Sequence, residues 1–311
     1  MLETIAPGVI EIDTMLGGWA KTTAGYLLDG DMPVLIETGS QSSVPVLLDA
    51  LREAGLGAND LAGVALTHIH LDHAGGVGDV ARAFPKAMIY VHELGARHLV
   101  DPSRLIASAE QVYGSLLDEL YGRIEPSPKE RIRVLYDNDL VDLGASRTLL
   151  AIDSPGHAKH HLGFLDSLSG VLFSGDAVGV RLPGGGVLRP ATPPPDFDLD
   201  LALGSLKRFG LLSPARIALA HYGLLPEPPD EILESARDRL NAWTNEALRA
   251  YREGIDIGDA LNARFAEDFS DLDKVTKNRL ETLNGVHANA AGIRRWIKAK
   301  DAATKSTPSA S

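Results

Sequence analysis

The first third of the chain alternates short apolar runs with turn residues. Residues 8–12 and 24–28 read as strands, and Asp29-Gly30-Asp31 reads as a hairpin turn into a further strand at 33–36. From residue 44, Val44, Leu47, Leu48 and Leu51 recur at helical spacing, and Gly55 is a stop signal. A short apolar strand at 62–66 precedes a histidine-rich turn, followed by a helix at 78–84 and a strand at 87–91. This βαβ rhythm predicts an α/β layered fold.

Residues 104–121 read as one amphipathic helix carrying Leu105, Ala109, Val112, Leu116 and Leu120 on one stripe. The stripe predicts a core-facing helix, with a lid or dimer surface as the alternative. Short strands return at 134–135, 148–152, 162–165 and 171–173. Residues 181–197 hold five prolines and the run Gly184-Gly185-Gly186, a composition that predicts a functional lid or a disordered segment. Beyond Pro229 the pattern is helical to Lys298. The stripes Ile232, Leu233, Ala236, Leu240, Trp243 and Val275, Leu280, Leu283, Ile293, Trp296 read as core or dimer contacts, so a homodimer is the oligomeric alternative. The small, polar residues from 301 onward read as a disordered tail.

Charge and composition narrow the partners. Lys and Arg total 30 against 42 Asp and Glu, a net charge of −12 that disfavours nucleic-acid binding, where phosphate neutralisation needs a basic surplus. No apolar run is long enough for a membrane helix, and Met1-Leu2-Glu3-Thr4 lacks the basic-then-apolar pattern of a secretory signal. The expectation is a cytoplasmic protein acting on a small molecule, with neither membrane nor nucleic acid as partner. The chain has ten His and no Cys, which removes thiolate zinc sites and cysteine nucleophiles. Any metal must be held by imidazole and carboxylate.

Those groups are concentrated. Thr67-His68-Ile69-His70-Leu71-Asp72-His73-Ala74-Gly75-Gly76 places four candidate ligands in six residues at the end of an apolar strand. In extended geometry His68 and His70 share a face, and Asp72 and His73 turn into the next helix. His157, Asp176 and His221 each follow a further apolar strand, and α/β folds place ligand sites at strand ends. Gly175, beside Asp176, permits close approach. Such donors suit zinc, with iron or manganese as alternatives. Two ions about 3.5–4 Å apart lower the pKa of a bridging water and polarise a carbonyl or phosphoryl oxygen, so no side-chain nucleophile is required.

The HxHxDH motif with its spaced His, Asp and His resembles the metallo-β-lactamase superfamily over roughly residues 1–225. The resemblance implies a four-layer αββα catalytic domain at 1–228, leaving 229–300 as a helical C-terminal extension packed on it and 301–311 as the tail. It also implies a dinuclear centre, most simply two zinc ions. His68, His70 and His157 would hold one metal, Asp72, His73 and His221 the other, and Asp176 would bridge them. The residue matching Asp72 commonly orients the water or shuttles its proton, which makes Asp72 the catalytic candidate. Glu37, where the family more often has Asp, would support the ligand loop; the alternative is a plain turn residue. His161 resembles a supporting histidine, and His160 is expected to point outward. The run from Tyr90 to Leu105, with His92, resembles a poorly characterised prokaryotic branch of stand-alone hydrolases. Quorum-sensing lactonases of this fold carry a Tyr where this chain has Gly179, and Tyr222 is the candidate to replace it. His287 reads as packing or surface, with a place in a substrate pocket as the alternative.

The resulting expectation is metal-bridged hydroxide attacking an ester, lactone or thioester, as in a promiscuous esterase or lactonase. The rivals are phosphodiesterase, phosphotriesterase or β-lactamase-like activity on the same site, a mononuclear iron persulfide dioxygenase, and a non-catalytic binding module.

Overall fold

A computed structural model describes residues 2–184 and 186–306. The chain forms two compact units. The first comprises Met1–Asp153, His160–Gly175 and Ser213–Pro229, the second Ser154–Lys159, Asp176–Leu212 and Asp230–Ser311.

The first unit holds two mixed sheets. Strands β1 (Leu2–Ala6), β2 (Val9–Asp13), β3 (Ala24–Leu28), β4 (Val34–Ile36), β5 (Gly63–Ala65), β6 (Met88–His92) and β7 (Ile132–Leu135) form the first in sequential order. β1 to β4 pair antiparallel, and β4 to β7 pair parallel through helical crossovers. Strands β8 (Leu140–Asp142), β9 (Thr148–Asp153), β10 (Leu162–Asp166), β11 (Val171–Phe173), β12 (Arg216–Leu219) and β13 (Gly223–Leu224) form the second, parallel only at β11–β12. The sheets share one apolar core that includes Tyr26, Ile36, Leu149, Phe164 and Phe173. Tyr26 packs its ring 4.9 Å from Phe173, and its hydroxyl donates to the Leu219 carbonyl, so a buried polar tip finds an acceptor in the second sheet. Buried Arg147 adds a second tie. Its guanidinium grips Asp166 with two bonds of 2.7 and 2.9 Å and donates to the turn carbonyls of Asp29 (2.8 Å) and Gly8 (3.1 Å).

The helices of this unit are α1 (Val44–Glu53), α2 (Leu71–Ala74), α3 (Val77–Ala83), α4 (Glu93–Val100) and α5 (Ser103–Tyr113). Their amphipathic pattern decides their packing, as in α1, which buries Val44, Leu47, Ala50 and Leu51. The single helix expected over 104–121 is a correction. Gly114, at φ +54°, ends α5, and a separate turn spans Leu117–Tyr121. The stripe is thereby split: Ala109 and Leu120 are buried, while Val112 (73% exposed) and Leu116 (41%) face solvent.

The second unit is helical: α6 (Leu199–Leu211), α7 (Pro229–Glu253), α8 (Ile257–Phe265), α9 (Lys274–Asn284) and α10 (Val286–Ser306). The tail expected to fray from residue 301 is helical to Ser306, and the rest of it lies outside the described residues. The glycine- and proline-rich segment is pinned here. Arg189 pairs with Val180 in a short bridge and donates to Glu281 at 2.6 Å, and Thr192 bonds Asn289 through its N–H and hydroxyl. No helix among the described residues is long and apolar enough to cross a membrane. The mixed sheets with flanking helices and a helical C-terminal extension make this the α/β metallo-β-lactamase fold.

Candidate metal centre

The histidine-rich segment begins where β5 ends. Leu66 N–H continues the pairing with β6 through the Tyr90 carbonyl (3.0 Å), and Leu162 N–H donates to the Thr67 carbonyl (2.7 Å). His68 and His70 then lie edge to face, with His68 Nε2 2.9 Å from His70 Nδ1. The next residues wind into α2, which turns Asp72 and His73 toward His221, carried just beyond β12. Asp72 Oδ2 is 3.4 Å from His221 Nε2 and 3.8 Å from His73 Nε2, and the two imidazole nitrogens are 3.2 Å apart. Glycine lets α2 seat closely: a Cβ on Gly75 would lie 2.3 Å from the Leu71 carbonyl and 2.8 Å from the Gln41 nitrogen.

The backs of the rings are held. His221 Nδ1 is 2.9 Å from the Thr22 carbonyl; donating there places the proton on Nδ1 and the lone pair on Nε2. His73 Nδ1 faces Glu37 Oε2 at 3.5 Å, while Glu37 Oε1 accepts the Thr67 N–H at 3.2 Å. Glu37 is buried and adopts φ +62°, a left-handed conformation uncommon for a residue with a side chain. The following Thr38 donates both N–H and hydroxyl to the His73 carbonyl (2.8 and 2.9 Å). This turn therefore meets Thr67 and His73 through side chain and backbone alike.

In the second unit, His157 and Asp176 lie together, His157 Nε2 being 3.5 Å from Asp176 Oδ2. His157 Nδ1 faces the Ala191 carbonyl at 3.0 Å, which again turns the Nε2 lone pair to the carboxylate side. Gly156, at φ +137°, approaches α6 so closely that a Cβ would sit 2.4 Å from the Ala202 Cα.

The donor sets fit a divalent cation. Ligand bonds of about 2.0–2.2 Å place neighbouring tetrahedral donors roughly 3.3–3.6 Å apart; the spacings are 3.2, 3.4 and 3.8 Å within Asp72–His73–His221 and 3.5 Å within His157–Asp176, within a few tenths of an ångström of that. Imidazole lone pairs facing one another at 3.2 Å repel unless a proton or a cation lies between them. Burial by itself would raise the Asp72 carboxyl, but His73, His221 and His70 around it outweigh that and hold it well below the usual carboxylate range. Asp72 is thus an anionic donor at neutral pH.

The remaining candidates have other surroundings. His161 is buried and stacks on His68 at 5.1 Å, and a Cβ on Gly175 would meet its Nε2 at 2.6 Å, so the glycine makes room for the ring. His160 is a correction. It is half-buried and lies 6.2 Å from His68 and 6.0 Å from His70, because it precedes β10 and strand alternation does not govern it. His92 caps α4, accepting the Leu94 N–H at 3.1 Å, with Nε2 3.6 Å from Asp153. The Tyr222 hydroxyl is bonded to the Glu11 carboxylate, and burial followed by that neighbour pushes its pKa up. His287 is exposed and packs on Gly258, where a Cβ would be 2.2 Å from its Nδ1.

Fold and donor chemistry together define a metal-binding α/β protein. The family model of the metallo-beta-lactamase superfamily matches residues 17–221, and the chain belongs to that superfamily. Among its relatives is the metallo-beta-lactamase fold-containing protein ST1585 of Sulfurisphaera tokodaii, 34% identical over 207 residues, covering 64% of this chain and 72% of the relative. The solved structure of ST1585 matches with a TM-score of 0.70 at 26% identity, over 92% of this chain and 98% of that one. A hydroxyacylglutathione hydrolase of Xanthomonas campestris pv. campestris is 27% identical over 217 residues, 69% of each chain. An atrochrysone carboxyl ACP thioesterase of Aspergillus fumigatus is 26% identical over 204 residues, 64% of this chain and 51% of the relative.

Proposed function

We propose that this chain is a dinuclear metal-dependent hydrolase that cleaves an ester, lactone or thioester bond. Residues 1–228 form its catalytic part, and 229–300 a helical extension of it. The observation that carries the reading is the convergence of Asp72, His73 and His221, whose donor atoms lie within 4.8 Å of one another, with the far side of His221 committed to a backbone carbonyl. These three residues would hold one ion, and His68, His70 and His157 would hold the other, with Asp176 as a further ligand. The expected metal is zinc. Divalent cations bound there would activate water near neutral pH and polarise the scissile carbonyl. Asp72 turns Oδ2 to the two imidazoles, and as an anion beside the ions it would orient the attacking water or shuttle its proton. Glu37 and the Thr22 and Ala191 carbonyls keep the ring nitrogens aimed, which maintains metal affinity. The relatives named as a thioesterase and a hydroxyacylglutathione hydrolase support an acyl bond as the target.

The test joins metal quantification to a hydrolysis panel of lactones, aryl esters, thioesters, phosphodiesters and a β-lactam. The expected result is about two zinc ions per chain and turnover of an acyl substrate. Asp72→Ala should reduce that turnover by about 10²–10⁴-fold. One iron per chain would overturn the dinuclear reading, and unchanged turnover in a metal-loaded Asp72→Ala variant would overturn the role of Asp72.

A further inference from the structure

Glu11, on β2, is a buried carboxyl group, 6% exposed. Its charged neighbours Glu3 and Asp13 are both acidic, and no cation pairs with it among the described residues. Burying a carboxyl group in such surroundings is costly unless its hydrogen bonds compensate. Those bonds converge on one turn. Glu11 Oε2 accepts the Leu224 N–H at 3.3 Å, and the Tyr222 hydroxyl meets the same carboxyl group. Gly223 lies at φ +73°, and a Cβ there would sit 2.9 Å from Glu11 Oε2, so the glycine lets the turn close on the carboxyl group.

The turn is the one that carries His221. Residues 220–222 join β12 to β13, with Leu219 paired to Gly223 and Ala218 to Leu224. β3 holds the entry to the turn. Tyr26, opposite Glu11 in the β2–β3 register, donates its hydroxyl to the Leu219 carbonyl, and Ala24 N–H donates to the Ala220 carbonyl at 2.8 Å. The exit has less backbone pairing, because β13 is two residues long and ends its sheet. Glu11 is the side chain of the first sheet that reaches it.

We propose that Glu11 is a positioning residue for His221. By holding Leu224 and Tyr222 it fixes the exit of the turn and keeps His221 Nε2 aimed at Asp72 and His73. Tyr222 is then a strut between the turn and Glu11, and not a contact for substrate.

Because this role rests on His221 as a metal ligand, the test is zinc affinity, measured by chelator competition in a double-mutant cycle. The parent should bind about two zinc ions. Glu11→Ala should weaken one of them about 10–100-fold, as loss of support behind a ligating imidazole does. Glu11→Gln, which keeps an acceptor for the Leu224 N–H, should recover most of that loss. In a His221→Ala background, where one ion remains, Glu11→Ala should leave its affinity unchanged. Glu11→Leu keeps the bulk of the side chain and serves if Glu11→Ala does not fold. Zinc affinity equal to the parent's in the folded Glu11 variant would overturn the proposal. An equal loss in the His221→Ala background would overturn it too, since Glu11 would then be loosening the whole unit. A parent that binds no zinc would instead overturn the metal centre, and this role of Glu11 with it.

Discussion

Glu37 offers a sharp test of how the metal ligands are aimed. Its carboxylate faces two buried groups: the Thr67 N–H at 3.2 Å, in the strand end that leads to His68, and His73 Nδ1 at 3.5 Å. Glu37→Ala removes both acceptors, and an unsatisfied buried donor costs about 1–3 kcal/mol. A lost partner behind a ligating imidazole typically lowers metal affinity about 10–100-fold, or roughly 1.4–2.7 kcal/mol. A second substitution separates backbone from side chain. At φ +62° a residue with a Cβ is strained by about 1–2 kcal/mol, so Glu37→Gly should be more stable than Glu37→Ala by about that amount while binding metal equally poorly. Zinc affinity can be read by competition with a chromophoric chelator, and stability by urea unfolding of the chelator-stripped protein. If Glu37→Ala is folded and binds zinc as tightly as the parent, the carboxylate is a turn residue and the support assigned to it is wrong.

Other substitutions probe the scaffold. His221→Ala should release about one equivalent of metal, measured by elemental analysis, and leave the far-ultraviolet circular dichroism unchanged. Asp166→Asn should destabilise the fold by about 3–5 kcal/mol, since it strands the buried Arg147 guanidinium, and thermal unfolding should register that loss. The same pair sets an acid response: burial would raise the Asp166 carboxyl, but Arg147 and Ser169 hold it below its ordinary value of 3.8. Its contribution is therefore complete above that pH and lost as pH falls through the lower folded value, so Asp166→Asn should flatten acid unfolding below about pH 4. Asn289→Ala, which removes the acceptor of the Thr192 N–H, should increase protease cutting within 181–197.

The strands were legible because their apolar runs sit between turn residues, and the observed β3, β4, β6, β9 and β10 fall within a residue or so of the runs that predict them. β1 carries no such signal, being an edge strand whose Glu3 and Thr4 face solvent. α5 was overextended for a different reason. Periodicity alone joins Leu105 to Leu120, whereas Gly114 at positive φ interrupts the helix between them. The 181–197 segment has the composition of a loop free to move, yet its order comes from Arg189 and Thr192 reaching residues about 90 positions away. Local sequence holds no record of contacts at that distance.

At the metal centre the legible part and the illegible part follow from different chemistry. Donor atoms are side chains of two residue types, so their clustering in Thr67–Gly76 and at later strand ends is visible in letters. The groups that aim them are mostly backbone: the carbonyls of Thr22 and Ala191 hold His221 and His157, and any residue at those positions supplies a carbonyl. Glu37 is the exception, a side chain that meets Thr67 N–H and His73 Nδ1, and a side chain can be picked out in the sequence. His160 shows the converse. A histidine's letter indicates that it could serve, but only the course of the chain ahead of β10 places it over His68 and His70. Substrate choice is one step further removed. It depends on what lines the approach to the site, which the ligand motif does not encode, so the motif leaves the substrate open.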